Sequence, residues 1–278
     1  MPTVQSNDGT RIGYSQLGQG PAVILVAGAL GCRANGVPQE LAEQLAKRFT
    51  VIDYDRRGRG ESGDTLPYAV EREIEDLDTL IDAVGGTAAL YGISSGGVLA
   101  LETASRLPHK VTKLALYEPP LIVDSNHAPV RADYVPSLQA AVAEGRRGDA
   151  VEIFMIDAVG IPREYVDHMR NAPPAPPVEG EMRPPAWSDM EAIAHTLAYD
   201  GIIMGPNMSG NPLRGDHWKT AAMPTLVIAG GASETFMHTG ADALAALLPN
   251  AQRQTLEGQD HAVSPVALAP VLEAFFAG

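Results

Sequence analysis

The chain has 278 residues, 45% of them hydrophobic and 19% charged, enough to bury a large core in one α/β domain or in a domain carrying an insertion. Lys and Arg number 20 against 34 Asp and Glu, a net charge of −14 that repels phosphate backbones and anionic lipids, so neither nucleic acid nor a membrane is an expected partner. The single cysteine, Cys32, excludes an intrachain disulfide and a multi-cysteine zinc site.

The opening MPTVQSNDGTRIGYSQLG has neither the basic start nor the apolar run of a secretory leader. The strongest apolar run, residues 22–30, is far short of the roughly 20 residues of a membrane span. A cytoplasmic location is the default expectation. In chain order, residues 3–5 and 11–16 flank an Asn7-Asp8-Gly9 turn, a hairpin signal. Residues 22–26 are continuously apolar, as in a strand buried on both faces. Residues 38–48 have a helical pattern and 49–54 that of a strand. Val70, Ile74, Leu77, Ile81 and Val84 share a helical stripe with acids opposite, closed by Gly85-Gly86. A strand at 88–91, a helix at 96–106 and a strand at 111–117 follow.

This alternation predicts an α/β fold, a mostly parallel sheet flanked by helices. The rhythm stops at Pro119-Pro120. It resumes with a strand at 224–229, a helix at 237–248, a strand at 252–256 and a helix at 264–276. Residues 121–220 read as mainly helical, interrupted by a proline-rich stretch at 173–185 that is expected to run extended. The expected organisation is a core domain of residues 1–120 and 221–278, with 121–220 inserted as a helical cap over the end of the sheet.

The chemistry concentrates at Gly92-Ile93-Ser94-Ser95-Gly96. A G-x-S-x-G run between a strand and a helix makes a turn tight enough to strain the central serine and lift its hydroxyl above the strand ends. The next amide, that of Ser95, then faces any oxyanion from the helix N-terminus. Serine is a weak nucleophile without a base. Among seven histidines, His261 follows the last strand and so falls at the same sheet edge as Ser94. By the same logic, His109 belongs to the opposite edge.

These features, with Asp55-Arg56-Arg57-Gly58-Arg59-Gly60-Glu61-Ser62 after an early strand and Gly258-Gln259-Asp260-His261 near the end, make the chain similar over essentially its whole length to the α/β-hydrolase fold superfamily. The resemblance implies a triad in the order serine, acid, histidine. It also implies a second oxyanion donor in the amide after the glycine that ends an early strand, which maps to Ala29 of Ala27-Gly28-Ala29-Leu30. The usual histidine before that glycine is replaced by Ala27. The usual acid after the penultimate strand is replaced by a serine, in Gly230-Gly231-Ala232-Ser233-Glu234. Two carboxylates compete for its place: Glu118, at the end of the strand before Pro119-Pro120 and favoured on position, and Glu234, one residue beyond Ser233.

Gly58-Arg59-Gly60-Glu61-Ser62-Gly63 is formally G-x-G-x-x-G, but no helix pattern follows it, so it reads as a turn and not a dinucleotide site. Cys32 reads as a small packing residue. Six of nine methionines, at 155, 169, 182, 190, 204 and 208, fall in the helical segment, and an adaptable Met-lined pocket suits a hydrophobic substrate. Met204 is a candidate wall residue. His195 and Tyr199, four apart on one helix face, are candidates to bond a substrate oxygen.

The expected activity is serine-dependent hydrolysis of a carboxylic ester or lactone of a small hydrophobic molecule, with no metal or organic cofactor required. Hydrolysis of a C–C bond in a diketone, or a non-catalytic small-molecule receptor on the same fold, are the alternatives. The small molecule is the expected partner, with a homodimer as a further candidate.

Overall fold

The computed structural model describes residues 2–173, 185–214 and 216–278. Eight strands form one sheet: β1 (Thr3–Gln5), β2 (Arg11–Leu17), β3 (Ala22–Val26), β4 (Thr50–Tyr54), β5 (Ala88–Ile93), β6 (Val111–Tyr117), β7 (Thr225–Gly230) and β8 (Ala251–Leu256). Their spatial order is β1-β2-β4-β3-β5-β6-β7-β8. The N-terminal hairpin pairs antiparallel, β2 pairs antiparallel with β4, and every later pair is parallel. The hairpin turns at Asp8-Gly9, where Gly9 takes a φ of 85° and the Asp8 carboxylate accepts the Thr10 amide at 2.9 Å.

The continuous apolar run of β3 follows from burial on both faces. Val23 and Leu25 enter one core with Leu41 and Leu45 of α1 (Gln39–Leu45) and with Leu268 and Leu272 of α10 (Pro265–Ala277). Ile24 and Val26 enter the other, with Leu77 and Ile81 of α2 (Val70–Ala83) and Leu99 of α3 (Ser95–Arg106). Alternation along the strand thus feeds two helical layers. α9 (Thr235–Leu247) covers β7 and β8.

Between β6 and β7 the described residues form no strand. They supply α4 (Tyr134–Ala143), α5 (Arg147–Ile153), α6 (Arg163–Asn171), α7 (Trp187–Ala192) and α8 (Leu197–Met204), with a π-helical turn at Phe154–Ala158 after α5. Leu138, Val151, Met190 and Leu197 of these helices join the same apolar cluster as Ile24 and Leu99. The proline-rich stretch lies, apart from Pro173 and Pro185, outside the described residues, and so does Met182.

The chain leaves β3 toward β4 on one side and returns to β5 on the other. That reversal opens a crevice beyond the carboxyl ends of β3 and β5, where open α/β sheets place their ligands.

Candidate active site

Strand register brings four loops to that crevice. Val26 pairs with Gly92, so two residues further on Gly28 and Ser94 stand side by side. A Cβ on Gly28 would sit 2.9 Å from the Ser94 Cβ. Ile93 pairs with Tyr117 and Tyr117 with Ile228, which sets Ser94 beside Glu118 and Glu118 beside the end of β7. The Ser94 amide donates to the Tyr117 carbonyl and the Glu118 amide to the Ile228 carbonyl, each at 3.0 Å.

The elbow is crowded. A Cβ on Gly92 would lie 2.5 Å from the Gly96 carbonyl oxygen, and one on Gly96 would lie 2.4 Å from the Ala27 carbonyl oxygen. No side chain fits either position. Ser94 itself takes φ 57° and ψ −132° and does not cap the helix that follows. Among the described residues only three non-glycine positions have positive φ, Leu30, Ser94 and Glu118, and all three line one cavity. Each such distortion costs roughly 1–3 kcal/mol and persists where the surroundings over-determine it, as functional sites do.

Glu118 and His261 meet although 143 residues separate them: His261 Nδ1 lies 2.8 Å from Glu118 Oε2. The other carboxylate oxygen, Oε1, accepts the Gly230 amide at 2.7 Å. Burial pushes the Glu118 carboxyl up, but the bonds from His261 and Gly230, with the Ser233 hydroxyl approaching short of a standard hydrogen bond, hold it below its ordinary value. An ionised partner on Nδ1 makes Nδ1 the donor, so in the neutral ring Nε2 is the acceptor. The loop bearing the imidazole is tied down by Tyr117, whose hydroxyl donates to the Asp260 carbonyl at 2.6 Å. The carboxylate is fully buried and the imidazole half exposed, so the base is held from behind and open in front.

Ser94, Ser95, Ala29, Glu118 and His261 all line a cavity of about 690 Å³. A strained hydroxyl, an oriented imidazole, a buried carboxylate and two loop amides are the parts that acyl transfer requires. A second, mostly apolar cavity of about 440 Å³ adjoins it, sharing Gly36, Ile93, His261 and Ala262. The family model for the alpha/beta hydrolase fold matches residues 21–267.

The chain belongs to the α/β-hydrolase fold family. An α/β hydrolase of known structure from Sphaerobacter thermophilus DSM 20745 is 49% identical, with 99% of this chain and 100% of that one covered and a TM-score of 0.86. A region of the polyketide synthase ThaQ of Burkholderia thailandensis is 28% identical over 92% of this chain but only 12% of its own length. The uncharacterized hydrolase YraK of Bacillus subtilis is 33% identical over 41% of this chain and 43% of its own length. The matched regions thus span less than half of these curated relatives.

The rest of the cavity wall is largely apolar. It includes Tyr134, Phe154 and Phe236, and Met204 stands there with Met155, Met190, Met208 and Met237. Met169 is exposed. Glu234 also reaches the wall, but its side chain is mostly exposed, its nearest ion-pair partner is His127 at 4.0 Å, and it serves as the N-terminal boundary of α9.

The expectation for His195 and Tyr199 is corrected. Neither is among the described residues lining the cavity. Tyr199 donates to Asp64 at 2.8 Å, His195 Nε2 lies 3.5 Å from the same carboxylate, and His195 Nδ1 faces Arg147 at 2.9 Å. His195 lies in a 3-10 turn and Tyr199 in α8, and both turn to Asp64 in the loop after β4. The Gly58–Gly63 run is a closed turn, with the Gly58 amide on the Gly63 carbonyl at 2.9 Å and the Asp55 carboxylate packed against Gly60. Among the described residues no group of three or more His, Cys, Asp or Glu side chains is arranged to hold a metal ion, and no helix is long and apolar enough to cross a membrane.

One set of residues went unread in the sequence. Asp200 of α8 is fully buried between Arg56 and Arg59, at 2.7 and 2.6 Å, and accepts the Ser95 hydroxyl at 2.8 Å. Arg56 also makes a paired contact with Glu73 at 2.7 and 2.8 Å. Burial would raise the Asp200 carboxyl, but the two guanidiniums hold it below its ordinary value. A lone acid in the apolar run Leu197-Ala198-Tyr199-Asp200-Gly201-Ile202-Ile203 was the available signal, since an unpaired charge is rarely tolerated there.

Proposed function

We propose that this hydrolase cleaves a carboxylic ester or lactone of a small hydrophobic substrate through an acyl-enzyme. The observation that carries the reading is the 2.8 Å contact of His261 Nδ1 with the buried Glu118, in the same cavity as a serine on a strained elbow.

In this reading Ser94 Oγ attacks the carbonyl carbon and passes its proton to His261 Nε2. Glu118 holds the imidazole in the required tautomer and stabilises its charged form. The amides of Ala29 and Ser95 donate to the oxyanion, a term worth about 10²–10³ in rate per donor. Collapse expels the alkoxide, which takes the proton from His261. Water then adds to the acyl-enzyme with His261 as base and releases the acid. A lactone follows the same steps, with the leaving oxygen tethered to the acyl group. Residues 1–120 and 221–278 act as the catalytic core, and 121–220 as a cap whose methionines adapt to the apolar part of the substrate.

The test is a panel of p-nitrophenyl esters, lactones and a ring-cleavage diketone, assayed with the protein and its Ser94→Ala variant. Ester or lactone turnover that disappears with Ser94 supports the reading. Turnover of the diketone alone would replace it with C–C hydrolysis, and inertness toward all three with no fluorophosphonate labelling of Ser94 would make the fold a receptor.

A further inference from the structure

Four fully buried charged side chains, Arg56, Arg59, Glu73 and Asp200, meet beneath the loop that follows β3. Their formal charges cancel, which is what permits burial. Both arginines also grip the loop. Arg56 donates to the Ala27 carbonyl at 3.2 Å, and Arg59 donates to those of Gly28 and Gly31 at 2.6 and 3.1 Å. In a trans peptide the C=O and the following N–H point in opposite directions. With the Gly28 oxygen drawn onto Arg59, the N–H of the same peptide, which belongs to Ala29, is turned away from the guanidinium. Drawing charge onto that carbonyl also strengthens the amide as a donor.

Asp200 ties this arrangement to the other donor. Its Oδ2 fixes Arg59, while its Oδ1 is shared by Arg56 and the hydroxyl of Ser95. One carboxylate therefore holds the residue whose amide opens α3 and the arginines that orient the loop opposite. It comes from α8, more than a hundred residues away in the chain. Building on the acyl-transfer reading above, we propose that Asp200 is a positioning residue for both oxyanion donors, so that α8 completes the oxyanion hole from outside the sheet.

The consequence is a loss in transition-state binding without a comparable loss in substrate binding. Steady-state hydrolysis of p-nitrophenyl butyrate, inhibition by butaneboronic acid and thermal melting are measured for the full chain and for Ser95→Ala, Asp200→Asn, the double variant and Asp8→Asn. Expected are a fall in kcat of roughly tenfold for Ser95→Ala and roughly 100-fold for Asp200→Asn, the scale of a misplaced catalytic group. KM stays within about threefold, and boronate affinity falls with kcat. The double variant is no slower than Asp200→Asn, because the two share one bond. Asp8→Asn breaks an ion pair to Arg57 in the same turn but touches no carbonyl of the loop, so it lowers the melting temperature and leaves kcat unchanged.

Values of kcat within about twofold of the parent for both variants, or a kcat loss that merely follows melting temperature across the series, would overturn the proposal. If Asp200→Asn does not fold, Ser95→Ala decides alone. Absence of Ser94-dependent turnover in the parent protein would instead remove the acyl-transfer reading on which the proposal rests.

Discussion

The crest of the sheet and the helical segment above it are built by different means. At the crest, Gly28, Ser94, Glu118 and Gly230 are placed by parallel strand register and backbone hydrogen bonds, and three residues are held in strained conformations. Among its described residues the helical segment has no strand to align it. It is seated by apolar packing and a few side-chain contacts: Asp200 to Arg56 and Arg59, Tyr199 to Asp64, and Trp218, whose indole donates to Glu102 of α3 at 2.8 Å. Backbone register fixes atoms closely because each peptide has one partner and one spacing. Side-chain seating depends on the few residues that make it. The comparison teaches that Ser94, Glu118 and Gly230 stand where the backbone decides position, while the helical segment reaches the site through side chains, at the apolar wall and at Asp200 beneath the loop after β3.

The strongest way to break that comparison is at the crest. Glu118→Gln is expected to lower kcat/KM for an ester by about 10³–10⁴, the scale of losing the group that sets the imidazole tautomer. Glu234→Gln leaves it near the parent value. The reverse order in ester kinetics would move the acid to α9. Because Glu118 is held below its ordinary value, it stays ionised as pH drops into the range where free carboxyls take up protons. Its contribution is present above the unfolded carboxyl value and is lost only as pH falls through the depressed folded one.

In the helical segment, filling space is expected to change preference instead of chemistry. Met204→Trp should raise KM for long-chain esters roughly tenfold over short ones while sparing kcat for the short ones, as read from an acyl-chain series. A uniform loss of kcat across the series would blur the proposed division of labour.

Two stability measurements sharpen it further. Asp53 on β4 is pushed up to about 7, first by burial and then by the charge of Asp55. Its folded value lies above its unfolded one, so the cost of ionising it builds as pH rises from the ordinary carboxylate range to about 7, is constant above that, and is absent below the carboxylate range. Asp53→Asn is therefore expected to raise the melting temperature by a few degrees at pH 8 and hardly at pH 3.5. Equal shifts at both values would contradict the cause. The smallest effect belongs to Tyr199→Phe, which gives up the bond to Asp64 for about 1 kcal/mol of stability and leaves ester kinetics within about twofold. A large kinetic change there would return Tyr199 to the substrate.

The same division decides what could be read in the sequence. The elbow was legible because its spacing is its geometry: small residues at 92 and 96 are demanded by oxygens 2.5 and 2.4 Å from where a Cβ would stand. The strands were legible because burial on both faces leaves an unbroken apolar run. Glu118 was legible as a candidate because a carboxylate sits directly at a strand end before two prolines. That His261 faces Glu118 and not Glu234 depends on the pairing of β6 with β7, which no local pattern encodes. His195 falls in a 3-10 turn and Tyr199 in α8, and both turn to Asp64, which their spacing alone does not say. Asp200 escaped for the same reason: its partners lie 105 to 144 residues away, across a junction that only folding creates.

In the proposed reaction Ser94 carries the acyl group during turnover. Acid-quenching a pre-steady-state reaction with a p-nitrophenyl ester and weighing the peptide that contains Ser94 tests it directly. A burst of p-nitrophenol matched by the acyl mass on Ser94, absent in Ser94→Ala, is the expected result. Sustained product formation in Ser94→Ala, with no acyl mass on the parent peptide, would contradict it.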